Sequence, residues 1–283
     1  MPTAPDILRD PAPSLRDLLT FYVESGVDCA LLEEPVDRLA EQAAVAPLAP
    51  LAAAAEKPVY APLLRASEMP KPAIRTETAL VPEIAIAAAR EAAATAPDLA
   101  ALRALLENFE GCALKSTATR LVFADGNPQA KVMFVGEAPG RDEDIEGLPF
   151  VGRSGKLLDL MLAAIGLNRT NAYIANVIPW RPPGNRDPSP QETQICLPFI
   201  KRHIELVNPD VLVTLGNPST QSLMGTRDGI MKTRGRWRDY DTGTRSIKAL
   251  ATFHPAYLLR QPSYKRMAWL DLRSIAAALK ANQ

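Results

Sequence analysis

The chain has 283 residues, with 32 Lys and Arg against 32 Asp and Glu, so its formal charge is zero. No apolar run approaches the ~18 residues that a membrane-spanning helix needs, and the start lacks a basic-then-apolar signal peptide, so a cytoplasmic protein with no membrane partner is expected. Three cysteines (Cys29, Cys112, Cys196) lie too far apart in sequence to suggest a disulfide framework.

The zero charge hides an asymmetry. Residues 1–100 hold eight Lys and Arg against fifteen Asp and Glu, a balance of −7, while residues 101–283 hold 24 against 17, a balance of +7. A basic second half points to a polyanionic partner. Residues 14–26 read as an amphipathic helix capped by Ser14 and ended by Gly26, and a short second helix is expected over 35–44. Residues 1–44 are therefore read as a helical leader. Residues 45–84 are rich in Ala and Pro with little apolar periodicity, which predicts a flexible linker.

From residue 85 the pattern changes. Residues 84–108 look helical, with Leu99, Leu102, Leu105 and Leu106 on one face. Strands are predicted at Lys131–Val135, Ala172–Ile178, Val211–Leu215 and Ile247–Phe253, separated by helices at 155–165, 190–207 and 217–224, with a last helix over 263–281. Short apolar strands alternating with helices predict one α/β domain over 85–283. It is three-layered, α/β/α, around a mostly parallel four-stranded sheet.

Each strand ends in residues that carry chemistry. The first runs into Val135-Gly136-Glu137-Ala138-Pro139-Gly140, then an acidic loop with Glu143 and Asp144, then Pro149-Phe150-Val151-Gly152. A helix begins near Ser154. The second strand carries Asn176, followed by Trp180-Arg181-Pro182-Pro183-Gly184-Asn185-Arg186; the third gives Gly216-Asn217; the fourth gives His254-Pro255-Ala256-Tyr257-Leu258-Leu259-Arg260. In an open α/β sheet such ends gather at one edge, so Glu137, Phe150, Asn176 and His254 are expected to line one pocket.

These stretches, in this order over roughly residues 109–280, resemble the uracil-DNA glycosylase superfamily, closest to its family 4 branch. The resemblance implies an enzyme that flips uracil, or another deaminated base, out of DNA and hydrolyses its N-glycosidic bond to leave an abasic site. It implies that Gly136, Ala138, Phe150, Asn176 and His254 bind the substrate. Phe150 would stack on the base and Asn176 would read its edge. His254 would stabilise the leaving anion. Glu137 is the carboxylate of the first motif, with Glu143 and Asp144 as supporting acids. Expected DNA contacts are Arg153, Ser154, Arg234, Arg236 and Arg260, with Leu258 or Leu259 as the wedge that fills the gap. A monomer working on uracil-containing DNA, with no membrane partner, is the resulting picture.

The pattern also departs from the family. Family 4 enzymes usually hold a [4Fe–4S] cluster on four cysteines. Here only Cys112 and Cys196 match cluster positions, and Phe109 and Trp180 stand at the other two. No cluster, no metal and no other cofactor are therefore expected, with the two aromatics filling the space by apolar packing. The covalently cross-linking branch of the superfamily uses a histidine in an inserted Arg-rich loop, and Pro179–Pro190 contains no histidine. The rival function is a non-catalytic binder of damaged DNA or abasic sites with the same fold. A phosphate-binding reading of Gly136–Gly140 is disfavoured, because Glu137 would set a negative charge against the phosphate and no helix opens directly from a run of glycines.

Overall fold

The computed structural model describes residues 80–281; the expected leader and most of the expected linker lie outside the described residues. The described region opens with helix α1 (Leu80–Thr95), so the expected boundary at 85 falls inside a helix. The single helical stretch expected over 84–108 is two helices. Pro97 interrupts it, and Asp98 caps α2 (Leu99–Asn108) by accepting the Ala101 N–H at 2.8 Å.

A short helix α3 (Ala113–Thr117) leads to the sheet. Its strands are β1 (Asp125–Gly126), β2 (Val132–Gly136), β3 (Tyr173–Asn176), β4 (Val211–Leu215), β5 (Trp237–Asp241) and β6 (Ser246–Thr252), in the order β1-β3-β2-β4-β6-β5. The four expected strands form the parallel centre, and β1 and β5 add antiparallel edges. The sheet thus has six strands rather than four. The additions escaped sequence reading because one is two residues long and the other, Trp-Arg-Asp-Tyr-Asp, is too charged to read as a core strand.

Alternation along the strands builds two cores. Met133 and Val135 of β2 face one cluster with Leu102, Leu106, Leu114, Phe199 and Ile200, whereas Val132 and Phe134 face another with Leu158, Leu162, Leu272 and Ile275. The first face is covered by α1, α2 and α6 (Pro190–Val207), and the second by α5 (Arg153–Ala163) and α10 (Lys265–Ala281). This is the three-layer α/β/α arrangement. Strands β2, β3 and β4 are buried throughout, as a sheet covered on both faces requires. Each fully buried Phe or Leu contributes about 1.5–3 kcal/mol, so the two clusters fix the direction of the strand ends firmly.

Shorter helices fill the rim. The loop after Pro139 is not irregular but folds as α4 (Arg141–Glu146). Helix α5 starts one residue before the expected Ser154, with Gly152 at its cap. Helix α7 (Asn217–Met224) follows β4, α8 (Ile230–Thr233) precedes β5, and α9 (Pro255–Arg260) follows β6. Among the described residues no helix is long and apolar enough to cross a membrane.

Candidate active site

Parallel strands point their carboxyl ends the same way, and the register here is close. Gly136 at the end of β2 pairs with Asn176 at the end of β3, and Leu215 at the end of β4 pairs with Thr252 at the end of β6. A cavity of about 650 Å³ opens where these ends meet, lined among others by Glu137, Ala138, Phe150, Asn176, Asn217 and His254.

Phe150 and Asn176 meet over Gly136. A Cβ on Gly136 would lie 2.5 Å from Asn176 Oδ1 and 2.6 Å from Phe150 Cζ, so only glycine leaves room for both. Phe150 itself has a left-handed backbone, φ 56°, unusual for a bulky residue. Two features hold it there. Its carbonyl oxygen lies where a Cβ on Gly155 would sit, at 1.7 Å, and Arg169 donates to the same carbonyl at 2.5 Å and to Pro149 O at 3.1 Å. Arg169 is in turn fixed by Asp125 and Asp159. Nothing in the sequence singled out Arg169, because its partners are 10 to 44 residues away.

Asn176 is 5% exposed, and its Oδ1 accepts no hydrogen bond within the protein. Among the described residues one other buried side-chain oxygen lacks a partner, Oδ1 of Asn217, which lines the same cavity. A buried acceptor without a donor costs about 1–3 kcal/mol. Two such atoms at one cavity mark it as a place built to receive hydrogen-bond donors.

His254 caps α9. Its Nδ1 accepts the Ala256 N–H at 3.1 Å and therefore carries no proton. Burial, with Arg260 adding to it, pushes the imidazole down to about 4. At neutral pH the ring is uncharged and its one remaining proton sits on Nε2. The ring lies 5.4 Å from the Phe150 ring, centroid to centroid, which sets the histidine beside that aromatic side chain. Gly216, at φ 89°, brings the end of β4 against it; a Cβ there would lie 2.9 Å from His254 Cβ.

The three acids separate. Glu137 lines the cavity, and burial raises its carboxyl above the usual range, with Asp187 adding to the effect. Glu143 also borders the cavity, but both its oxygens are committed: Oε2 accepts Gly140 N–H, and Oε1 accepts Val151 N–H and Gly152 N–H, each at 3.0 Å. It pins the turn that carries Glu137 to the loop that carries Phe150. Asp144 is turned away, accepting from Thr119 N–H at 2.7 Å, Thr119 Oγ1 at 2.9 Å and Arg120 N–H. The expectation that it supports catalysis is corrected: it anchors the preceding loop.

The expected DNA contacts divide in the same way. Ser154 and Arg260 line the cavity, and Arg153 and Arg236 are exposed near the rim elements. Leu259 is 38% exposed, but Leu258, at 1%, belongs to the core and cannot serve as a wedge. Arg234 is also corrected, since it forms a buried ion pair with Asp271 and donates to Met267 O. Sequence reading missed Asp187 and Tyr257 as lining residues; both stand beside motif residues but carry no signal of their own.

The profile of the family described as "Uracil DNA glycosylase superfamily" matches residues 123–273, more than half of the chain. The chain belongs to the uracil DNA glycosylase superfamily. It is 41% identical over 168 residues to the Type-4 uracil-DNA glycosylase of Archaeoglobus fulgidus, covering 58% of this chain and 84% of that protein. It is 40% identical over 172 residues to the Type-4 enzyme of Thermotoga maritima, covering 60% and 88%, and 41% identical over 169 residues to that of Sulfurisphaera tokodaii, covering 58% and 77%.

Membership of this superfamily, close to its family 4 branch, raises the question of the iron–sulfur cluster. The residues present do not fit it. Cys112 and Cys196 are buried with their sulfurs 4.0 Å apart, but a four-iron cluster takes four thiolates. Phe109 packs edge-on against Phe199 at 5.0 Å, and Trp180 is 2% exposed within the same core cluster. Neither side chain can ligate iron.

Proposed function

We propose that this chain is a monofunctional DNA glycosylase that extracts uracil from DNA and hydrolyses its N-glycosidic bond, leaving an abasic site. The observation that carries the reading is the buried, unpartnered Oδ1 of Asn176 set beside Phe150 and His254. Uracil presents an N3–H donor next to an O4 acceptor. The Asn176 amide accepts from the first and donates to the second. Cytosine presents the reverse pattern and would leave both groups unsatisfied, a penalty of about 1–3 kcal/mol for each.

The chemistry follows from the protonation states. With the base everted and stacked on Phe150, the C1′–N1 bond breaks and its electron pair leaves on the uracil ring. Nε2–H of the neutral His254 donates to O2, where part of that charge collects, and so favours the transition state over the ground state. The Glu137 carboxylate balances the cationic sugar and accepts a proton from the water whose oxygen bonds to C1′. Glu143 acts through the backbone, holding the Glu137 turn and the Phe150 loop in register. Other deaminated bases sharing uracil's edge fall within the same reading.

We further infer that the enzyme works without a [4Fe–4S] cluster, because aromatic residues replace two of its four ligands. The same reading takes the enzyme as a cytoplasmic monomer acting on uracil-containing DNA.

The test is incubation with an end-labelled oligonucleotide containing one uracil, then alkali. Cleavage at the uracil is expected, and His254→Ala should lower the rate about 10²–10³-fold, the usual loss for one transition-state donor. Tight binding without any cleavage would replace the enzyme reading with that of a damage-binding protein.

A further inference from the structure

The residue expected to fill the gap left by an everted base was a leucine in the segment after His254, but Leu258 is 1% exposed and sits among core residues of α10 and the sheet. Reaching a DNA strand would require α9 to unwind. Leu259 is exposed but does not line the cavity. Tyr257 does line it.

Its position is tightly defined. The Tyr257 N–H donates to His254 O at 2.9 Å, so the tyrosine stands on the turn directly after the histidine. The ring is also braced from behind. It stacks on Phe253 at 5.6 Å with only 16° between planes, and Phe253 is 1% exposed and therefore fixed. Tyr264 closes the group, 5.5 Å from Tyr257 and 5.2 Å from Phe253. Arg234 lies over the Phe253 ring at 5.5 Å, held by Asp271. Ordering this surface on binding costs little, because its parts already hold one another.

We propose that Tyr257, backed by Phe253 and Tyr264, is a stacking platform for the base adjacent to the everted nucleotide. The proposal rests on the reading of the cavity as a nucleotide site, and it adds how the neighbouring strand is gripped. An aromatic face accepts any base, so the platform binds without regard to the flanking sequence. Arg260, exposed on the same helix and lining the cavity, is placed to meet the backbone of that strand.

The experiment uses the full chain carrying His254→Ala, which slows uracil release, and a single-stranded uracil oligonucleotide with 2-aminopurine next to the uracil, read before release sets in. Binding is expected to quench the probe on one side of the uracil. Adding Tyr257→Phe should preserve the quench, and adding Tyr257→Leu, which keeps an apolar contact on Phe253, should abolish it. In otherwise wild-type enzyme, Tyr257→Leu should raise KM about 5- to 100-fold, the equivalent of losing one base–aromatic stack, with a smaller change in kcat. Thermal melting of each variant identifies any loss of folding, and the quench is then read on the folded Tyr257→Phe and Tyr257→Leu proteins. Unchanged quench and KM in Tyr257→Leu would overturn the platform. Uracil release by the wild-type chain is scored in parallel: its absence would sink the glycosylase reading, whereas intact release with an unmoved quench would sink the platform alone.

Discussion

Gly136→Ala puts the proposed geometry under direct strain. Gly136 is not one of the positive-φ glycines, so its backbone accepts alanine. The new methyl, however, would lie 2.5 Å from Asn176 Oδ1 and 2.6 Å from Phe150 Cζ, where ordinary contact begins at 3.4 Å. Each group must therefore retreat by close to 1 Å. Both contacts are with side chains, so the fold can yield: overpacking of this kind costs about 1–3 kcal/mol, or about 2–4 °C of melting temperature per kcal/mol in a domain of this size. Catalysis has less latitude. A displacement of about 1 Å in a positioning group costs about 10²-fold, so kcat/KM for uracil release should fall by about that factor while the protein stays folded. Gly155→Ala makes the contrast, because its Cβ would meet the Phe150 carbonyl, a backbone atom, at 1.7 Å, and there folding itself should suffer. Uracil release from a labelled oligonucleotide and thermal melting are measured side by side. A folded Gly136→Ala enzyme with kcat/KM within about threefold of wild type would refute the idea that Phe150 and Asn176 hold the base over Gly136.

Two further outcomes test the electrostatics and the cluster site. The imidazole of His254 takes a proton only near pH 4, and the working form of Glu137 is its carboxylate, so activity should be full at neutral pH and fall as pH drops through the raised Glu137 value. Glu137→Gln should lose the acid limb of the kcat/KM profile, and no limb should then remain at the ordinary histidine value of about 6.5; a limb that persists there in Glu137→Gln would contradict the neutral imidazole. For the cluster, protein purified without oxygen should contain no stoichiometric iron, and replacing Cys112 and Cys196 by alanine should leave kcat/KM within about threefold, whereas iron approaching four atoms per chain would overturn the reading.

What the sequence made legible follows from where the information sits. Strands β2, β3 and β4 could be read because each is a short apolar run buried throughout, as Val-Leu-Val-Thr-Leu at 211–215 illustrates. The mismatch to a four-cysteine ligand set could be read because it depends on residue type alone: phenylalanine and tryptophan have no thiolate to offer, whatever their geometry. The edge strand at 237–241 could not be read, because its exposed face is charged and its pairing with β6 is a tertiary fact.

Within the site the same division holds. Glu143 and Asp144 are adjacent acids in one motif, and only the phase of a six-residue helix sends one carboxylate back to Gly140, Val151 and Gly152 and the other out to Thr119. Tyr257, Leu258 and Leu259 pose the same problem on α9. Three successive residues point in three directions, the most apolar-facing position goes to the core, and the sequence gives no sign of which one that is. Strand-end residues gather at one edge because parallel topology puts them there; for helix-borne residues the sequence leaves the facing open, because one residue of helical phase turns a side chain by about 100°, so Ser154 and Arg260 reach the cavity while Leu258 does not. The Phe150 loop shows the limit most clearly. Its left-handed backbone is held by Arg169 and by the missing side chain of Gly155, two constraints that come from elsewhere in the chain and leave no mark in the Pro-Phe-Val-Gly motif they serve.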